Sequence, residues 1–206
     1  MIESRNEEML VLASRSPRRR EILQQAGIPF VVRPFDVDGS PLPGESARDY
    51  VTRIAREKAN AAAIRALHGE IILAADTTVT IHGEILGKPS DAADARRMLR
   101  LLSGQRHEVL TGICLRTASR TIEDCAETSV WFAPLSPAEI EEYAAGGEPM
   151  DKAGAYAIQG LASKFVERIE GCYFNVMGLP VSMVYRHLRE LQSARTRNKS
   201  PVPYVS

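Results

Sequence analysis

Apolar positions along the chain fall into short runs separated by clusters of Pro, Gly and Ser, the pattern of alternating strands and helices. Residues 9–13 (MLVLA) predict a strand. Ser16 followed by Pro17 predicts the N-cap and first residue of a helix that Gly27 closes. Residues 30–32 predict a strand, and the Pro- and Gly-rich residues 34–45 a mobile loop. Ser46-x-x-Asp49 is a capping pattern opening a long Ala- and Arg-rich helix through about Leu67. Residues 71–75 (IILAA) predict a buried strand that Asp76 breaks. The β-branched residues 77–81 then lead to a His82-Gly83 turn, with 84–86 as the return strand of a hairpin. Ser90 reads as the cap of a helix ending at Ser103-Gly104, and residues 108–115 and 121–132 as long paired strands. Ser136-Pro137-x-Glu139 is a full capping box whose helix stops at Gly146-Gly147. Residues 151–160 follow neither period and predict a structured loop, 164–169 a strand, and 180–191 the last helix.

Units of β-α-β type mixed with antiparallel hairpins predict an α/β fold with a mixed sheet and flanking helices. No composition break separates a second domain, so residues 9–191 are expected to be one domain, with residues 1–8 an N-terminal extension and 192–206 a polar, poorly ordered tail. A chain of 206 residues can bury a self-sufficient core. Its 26 Lys and Arg balance 26 Asp and Glu, which argues against nucleic acid or a membrane surface as partner and leaves any anion to a few placed cations. Cys114, Cys125 and Cys172 form no C-x-x-C pair and suit a reducing compartment. The charged N-terminus lacks a signal-peptide pattern and no run is long enough to span a membrane, so a soluble cytoplasmic protein is expected.

Three segments could carry chemistry. At Ser14 to Arg20 a strand-to-helix turn offers free backbone N–H groups, hydroxyls and guanidinium groups to an anion. Three successive arginines oppose the helix dipole there, so a ligand or a solvated basic turn must explain them. Asp76, at the end of an apolar strand, could bind a divalent cation, take a proton from water, or cap a turn. Lys88 projects from a rigid Gly-Lys-Pro turn. Residues 151–160 (DKAGAYAIQG) combine small residues with a few polar groups that could read a ligand, and 175–180 form a glycine-proline corner. The four histidines, His68, His82, His107 and His187, show no metal spacing and are expected at the surface or half-buried; no G-x-S-x-G motif is present.

The segments LASRSPRRREIL, LAADTTV, GKP, LSG, EPMDKAGAYAIQG and NVMGLP stand in order over residues 9 to about 191, and in them the chain resembles the Maf family of nucleoside triphosphate pyrophosphatases. The resemblance implies an elongated two-lobed architecture like that of inosine triphosphatase, with the active site in a central cleft. It also implies a cytoplasmic enzyme that hydrolyses a nucleoside triphosphate to the monophosphate and pyrophosphate with Mg²⁺ or Mn²⁺. Residue by residue, it makes Asp76 the general base and metal ligand, and Arg18, Thr77 and Gln159 the substrate-specificity positions. Ser14, Ser16, Arg19, Lys58 and Lys88 become the phosphate-side residues. The DKAGAYAIQG form is similar to the branch acting on dTTP and UTP rather than on 7-methyl-GTP. Many family members carry an acidic residue after an Asp-Val-Asp-like run, where this chain has Gly39 after Asp36-Val37-Asp38. Oligomeric state stays open, a homodimer included.

The residue types suit that reaction. Fixed cations stabilise charge developing on a leaving pyrophosphate, and the Gln159 amide can answer both N3–H and O4 of thymine or uracil, provided that neighbours such as Thr77 lock its orientation. A second class stays open through the family's association with septum formation: a regulator of cell division that binds nucleotide or a partner without turnover. Asp76 together with Lys58 and Lys88 favours the enzyme.

Overall fold

A computed structural model describes residues 9–198; the expected extension at 1–8 and residues 199–206 of the expected tail lie outside the described residues. The fold is built on one seven-stranded mixed sheet. β1 (Leu10–Leu12) lies parallel between β2 (Phe30–Val32) and the first third of β3 (Ile71–Ile81). α1 (Pro17–Gln25) connects β1 to β2, and α2 (Ala47–Ala63) connects β2 to β3. Beyond β3 the sheet is antiparallel, through β5 (Arg106–Arg116), β6 (Thr121–Phe132) and β7 (Val166–Glu170). β4 (Glu84–Leu86) returns on the far end of β3. Four further helices follow the same chain order: α3 (Ala92–Leu102), α4 (Pro137–Ala145), α5 (Tyr173–Met177) and α6 (Val181–Asn198). Among the described residues no helix is long and apolar enough to cross a membrane, and all three cysteines are free.

The alternation of β3 divides its side chains between two cores. Ile71, Leu73, Ala75, Val79 and Ile81 enter the larger cluster, with residues of α1, α3, α4 and α6. Ile72 and Ala74 face the other way, against Ala55, Ala59 and Ala62 of α2. The small residues of α2 let its backbone lie directly on the sheet. The approach is closest at Gly112 of β5, where a Cβ would overlap the Val51 carbonyl.

β3 is continuous through Asp76, which corrects the expected break and places the aspartate in mid-strand, not at the strand's end. It is nevertheless reachable, because β5 covers one edge of β3 from residue 72 to 80 while the other edge is shared by two short strands. β1 pairs with residues 71–73 and β4 with residues 79–81. Residues 74–78 therefore have no strand partner on that edge among the described residues, and a cleft opens there.

Other departures are local. Asp91, not Ser90, caps α3, its side chain accepting from Asp94 N. α2 ends at Ala63 and not near Leu67. α6 runs to Asn198, so residues 193–198 of the expected tail are helical. Residues 34–45 are held rather than loose: Arg53 donates to both Glu45 carboxylate oxygens (2.6 and 2.8 Å) and to the Ser40 carbonyl (3.0 Å), while Tyr50 Oη donates to the Gly39 carbonyl (2.9 Å). His187 is buried, with both ring nitrogens near carboxylates of Asp124 and Glu190. His107 is fully buried and meets Tyr156 Oη at 2.9 Å.

Two predictions follow from this packing. Gly112→Ala forces α2 off β5, at a cost of about 2 kcal/mol, and lowers the thermal midpoint by about 4–8 °C; an unchanged midpoint contradicts the close approach. Burial pushes the His107 imidazole from 6.5 down to about 4. Between those values the unfolded chain holds a proton that the folded one lacks, so stability is complete above about pH 6.5 and declines as pH falls toward 4, by up to ~3 kcal/mol from this group. Denaturant unfolding across that interval measures the slope, which His107→Gln flattens; equal slopes contradict the assignment.

Candidate active site

The unpaired stretch of β3 faces two adjoining hollows of about 480 and 350 Å³ that share Ser16, Arg18, Asp76, Lys88 and Asp151. The smaller is basic, lined in addition by Ser14, Arg15, Arg19 and Lys58. The larger is mostly apolar away from the junction, with Val79, Ile85, Val109, Tyr156, Val176 and Met177 on its walls and Gln159 and Thr77 among its polar groups. All nine site residues expected from the sequence meet in this one cleft. The five expected on the phosphate side line the basic hollow, Thr77 and Gln159 line only the larger one, and Arg18 and Asp76 stand at the junction.

Each side chain is placed by an identifiable element. Asp76 points to the α2 face of the sheet, where Lys58 Nζ donates to its Oδ1 at 2.6 Å; Oδ2 makes no hydrogen bond among the described residues. The pair is only partly exposed, with relative side-chain exposures of 21% for the lysine and 16% for the aspartate. Lys58 reaches it from the same line of α2 as Tyr50 and Ile54, at spacing i, i+4, i+8. Burial and the Asp76 charge push the Tyr50 phenol up to about 12, so its hydroxyl remains a donor, fixed on the Gly39 carbonyl of the cleft wall.

Thr77 points to the opposite face, where the guanidinium of Arg19 ties three segments together. Arg19 donates from Nε to the Gly178 carbonyl (2.8 Å), from Nη1 to Ser14 Oγ (3.1 Å) and from Nη2 to Thr77 Oγ1 (3.1 Å). Burial lowers its affinity for its proton and the charge of Asp76 opposes that effect. Beneath it, the Thr77 and Thr111 hydroxyls meet at 2.9 Å, Thr111 donates to the Asn175 carbonyl, and Asn175 Nδ2 donates to Val109 O and Thr128 Oγ1. This buried network docks α5 and sets the Val176–Gly178 wall of the cleft. The Ser16 hydroxyl makes no capping bond, although Ser16 is the N-cap of α1; Ser14 Oγ accepts from Ser16 N instead.

The remaining cations differ in commitment. Arg18 spans the cleft to Asp151, with Nη1 on Oδ2 at 3.0 Å and Nη2 on the main-chain carbonyl. Lys152 is tied to Asp151 and to the Glu148 carbonyl. Lys88 is exposed and has no acidic partner among the described residues. Gln159 is exposed and its side chain makes no hydrogen bond among the described residues, and Thr77 is committed to Arg19 and Thr111, so the expected lock on the Gln159 amide is not in place there. Asp151 is a second acid at the site and lines both hollows.

Tyr50 lines the cleft without having been singled out in the sequence, whereas Asp151, Lys152 and Tyr156 lie in the 151–160 segment expected to read a ligand, though none of the three was given a role of its own. For Tyr50 a signal existed: it recurs with Lys58 along a helix face otherwise given to Val51, Ile54, Ala55 and Ala59. Gly39 lines the larger hollow and brings no carboxylate. Its neighbours are engaged, Asp38 with Ser40 and Asp36 with Arg15 (2.7 Å).

Known proteins resemble this chain in sequence and in fold. The chain is 56% identical over 185 residues to a protein of Anaeromyxobacter sp. (strain Fw109-5) named dTTP/UTP pyrophosphatase, covering 87% of this chain and 88% of that one. It is 49% identical over 190 residues to a protein of the same name from Syntrophomonas wolfei, covering 91% and 100%. Its fold is similar to that of the Staphylococcus aureus Ham1 protein, with a TM-score of 0.51 at 15% identity, covering 88% and 98% of the two chains. The family described as Maf-like protein matches residues 9–191, and the chain belongs to that family.

Proposed function

We propose that the protein hydrolyses nucleoside triphosphates to the monophosphate and pyrophosphate, with dTTP and UTP as preferred substrates. The observation that carries this reading is the junction of the hollows, where a half-buried aspartate paired to Lys58 stands beside an uncommitted Lys88 and the exchangeable Arg18. The basic hollow suits the phosphates and the larger, apolar one the base. Curated relatives named dTTP/UTP pyrophosphatase support the substrate class.

A divalent cation fits this site in one form only. Among the described residues no three His, Cys, Asp or Glu side chains are grouped to hold a metal. Asp76 Oδ2 is an unbonded hard oxygen donor, whereas Asp36 and Asp151 are engaged by cations. Asp76 therefore suits Mg²⁺ or Mn²⁺ arriving on the triphosphate, with phosphate oxygens and water as the other ligands. When bound, such an ion neutralises phosphate charge and polarises the anhydride. Asp76 accepts the proton of the attacking water, and the Lys58 ammonium, donating to Oδ1, fixes the orientation of the carboxylate. Lys88 and Arg18 meet the phosphates. At roughly 4 Å each cation contributes about 4 kcal/mol at an effective dielectric near 20, and the contribution grows as charge moves onto the leaving pyrophosphate.

Thymine and uracil offer N3–H and O4, which one amide answers together. Because no neighbour fixes Gln159, its side chain selects only after substrate has ordered it.

Asp76→Asn is expected to lower pyrophosphate release from UTP by about 10³-fold with nucleotide binding retained, read by coupled assay and calorimetry; wild-type turnover in this variant overturns the assignment. Gln159→Ala is expected to lower kcat/KM for UTP by about tenfold while changing that for CTP by less than about threefold. An unaltered UTP-to-CTP ratio contradicts the role given to the amide.

A further inference from the structure

The hydrolytic reading leaves unused a buried histidine, one of two residues with an unpartnered buried side-chain atom among the described residues. His107 sits on β5 with no exposed surface, and among the described residues its Nδ1 has no partner at hydrogen-bond geometry, the Gln105 backbone offsetting only part of the effect of burial on the ring. An apolar side chain would fill this position at lower cost, because a buried polar atom without a partner opposes folding. The single hydrogen bond that His107 makes is between Nε2 and Tyr156 Oη, at 2.9 Å. The imidazole also packs edge-on against the rings of Phe132 and Tyr156, with centroids 5.1 and 5.4 Å away, and those two rings pack on each other at 4.8 Å.

Tyr156 links this cluster to the cleft. It retains 5% exposure and lines the larger hollow beside Val79, Val109 and Met177. The backbone that delivers it is unusual. Gly154 and Ala155 are both left-handed, at φ of 67° and 60°, a conformation unfavourable for alanine. The segment is pinned by Gly154 N donating to the Gly87 carbonyl, and Gly154 packs so tightly on Val79 that a Cβ would not fit. Strained backbone and a half-satisfied buried histidine thus converge on one ring in the wall of the cleft, a pattern expected where function sets the local structure.

We propose that His107 is a positioning residue for the nucleobase: by holding the Tyr156 hydroxyl it fixes the ring that forms part of the wall on which the base packs. The proposal rests on reading the cleft as a nucleoside triphosphate site. His107 acts on the base end, since among the described residues neither it nor Tyr156 has a hydrogen bond to Asp76, Lys88 or Arg18. It therefore governs affinity for the nucleoside part and leaves the handling of phosphate unchanged.

The test compares the parent enzyme with Tyr156→Phe, His107→Leu and His107→Gln, in steady-state hydrolysis of UTP and in product inhibition by UMP and by pyrophosphate. Gln can present a polar atom near the position of Nε2. Tyr156→Phe and His107→Leu are expected to raise KM for UTP and the inhibition constant of UMP by about fivefold, the size of one neutral hydrogen bond. In both, kcat stays within about twofold and the inhibition constant of pyrophosphate is unchanged, while His107→Gln returns both affinities to within about twofold of the parent. Should His107→Leu fail to fold, Tyr156→Phe and His107→Gln give the same comparison. The inference is overturned if UMP and pyrophosphate weaken together, if Tyr156→Phe leaves KM unchanged, or if His107→Gln behaves no better than His107→Leu. A parent enzyme releasing no pyrophosphate from any nucleotide defeats the functional reading itself, a result distinct from each of these.

Discussion

A strand in the interior of a sheet hides its middle residues unless a neighbour stops short, and here β1 stops at Leu12 while β4 pairs with β3 only from residue 79. The resulting gap beside residues 74–78 gives an acid access to water while its main chain remains locked to β5. Backbone rigidity and side-chain exposure, which usually trade against each other, coincide at Asp76. The rest of the site is arranged around that gap. The N-terminus of α1 points into it because β1 ends there, and the Arg19 guanidinium holds β1, β3 and the α5–α6 corner in fixed relation across it.

The charges in the cleft are balanced in advance, and their strengths differ in a useful way. Lys58 and Asp76 are both mostly buried, so their pair is screened little by solvent and fixes the orientation of the carboxylate. The Arg18–Asp151 pair has its carboxylate 57% exposed, and such pairs contribute roughly 0–1 kcal/mol. A hydrogen bond from a guanidinium to a phosphate contributes about 1.5–3 kcal/mol. On the proposed reading a triphosphate therefore draws Arg18 away from Asp151 and leaves Lys58 in place. The cation that spans the cleft is the one free to exchange, and the one that holds the acid is not.

Much of the architecture was legible because it is written in local signals. The capping box at Ser136, the Ser16-Pro17 helix start and the strand at residues 121–132 each depend on neighbours within a few residues, and each stands as expected. The cap of α3 was misplaced by one residue because Ser90 and Asp91 are both good caps; Asp94, three residues after Asp91, decides between them. α6 was cut short because polarity was read as disorder, although no proline interrupts the sequence before Pro201. The exposure of Asp76 in mid-strand was not legible, since it arises from where two other strands end. The burial of His107 likewise depends on Phe132 and Tyr156, 25 and 49 residues away in the chain. Membership of the cleft was available residue by residue through the family resemblance, but the commitment of Arg19 and Thr77 to an internal network was not. That commitment gives two residues expected to meet substrate a further part in holding the site together.

On the proposed reading the nucleotide binds at the gap in the edge of β3, with its phosphates in the basic hollow and its base in the apolar one. The most direct measurement is a crystal structure with a UTP analogue whose α,β-bridging oxygen is replaced by methylene. The account predicts phosphate oxygens within hydrogen-bonding distance of Lys88, Arg18 and Ser16, and the uracil ring beside Gln159 and Tyr156. An analogue bound away from Asp76, or reversed end for end in the cleft, contradicts it.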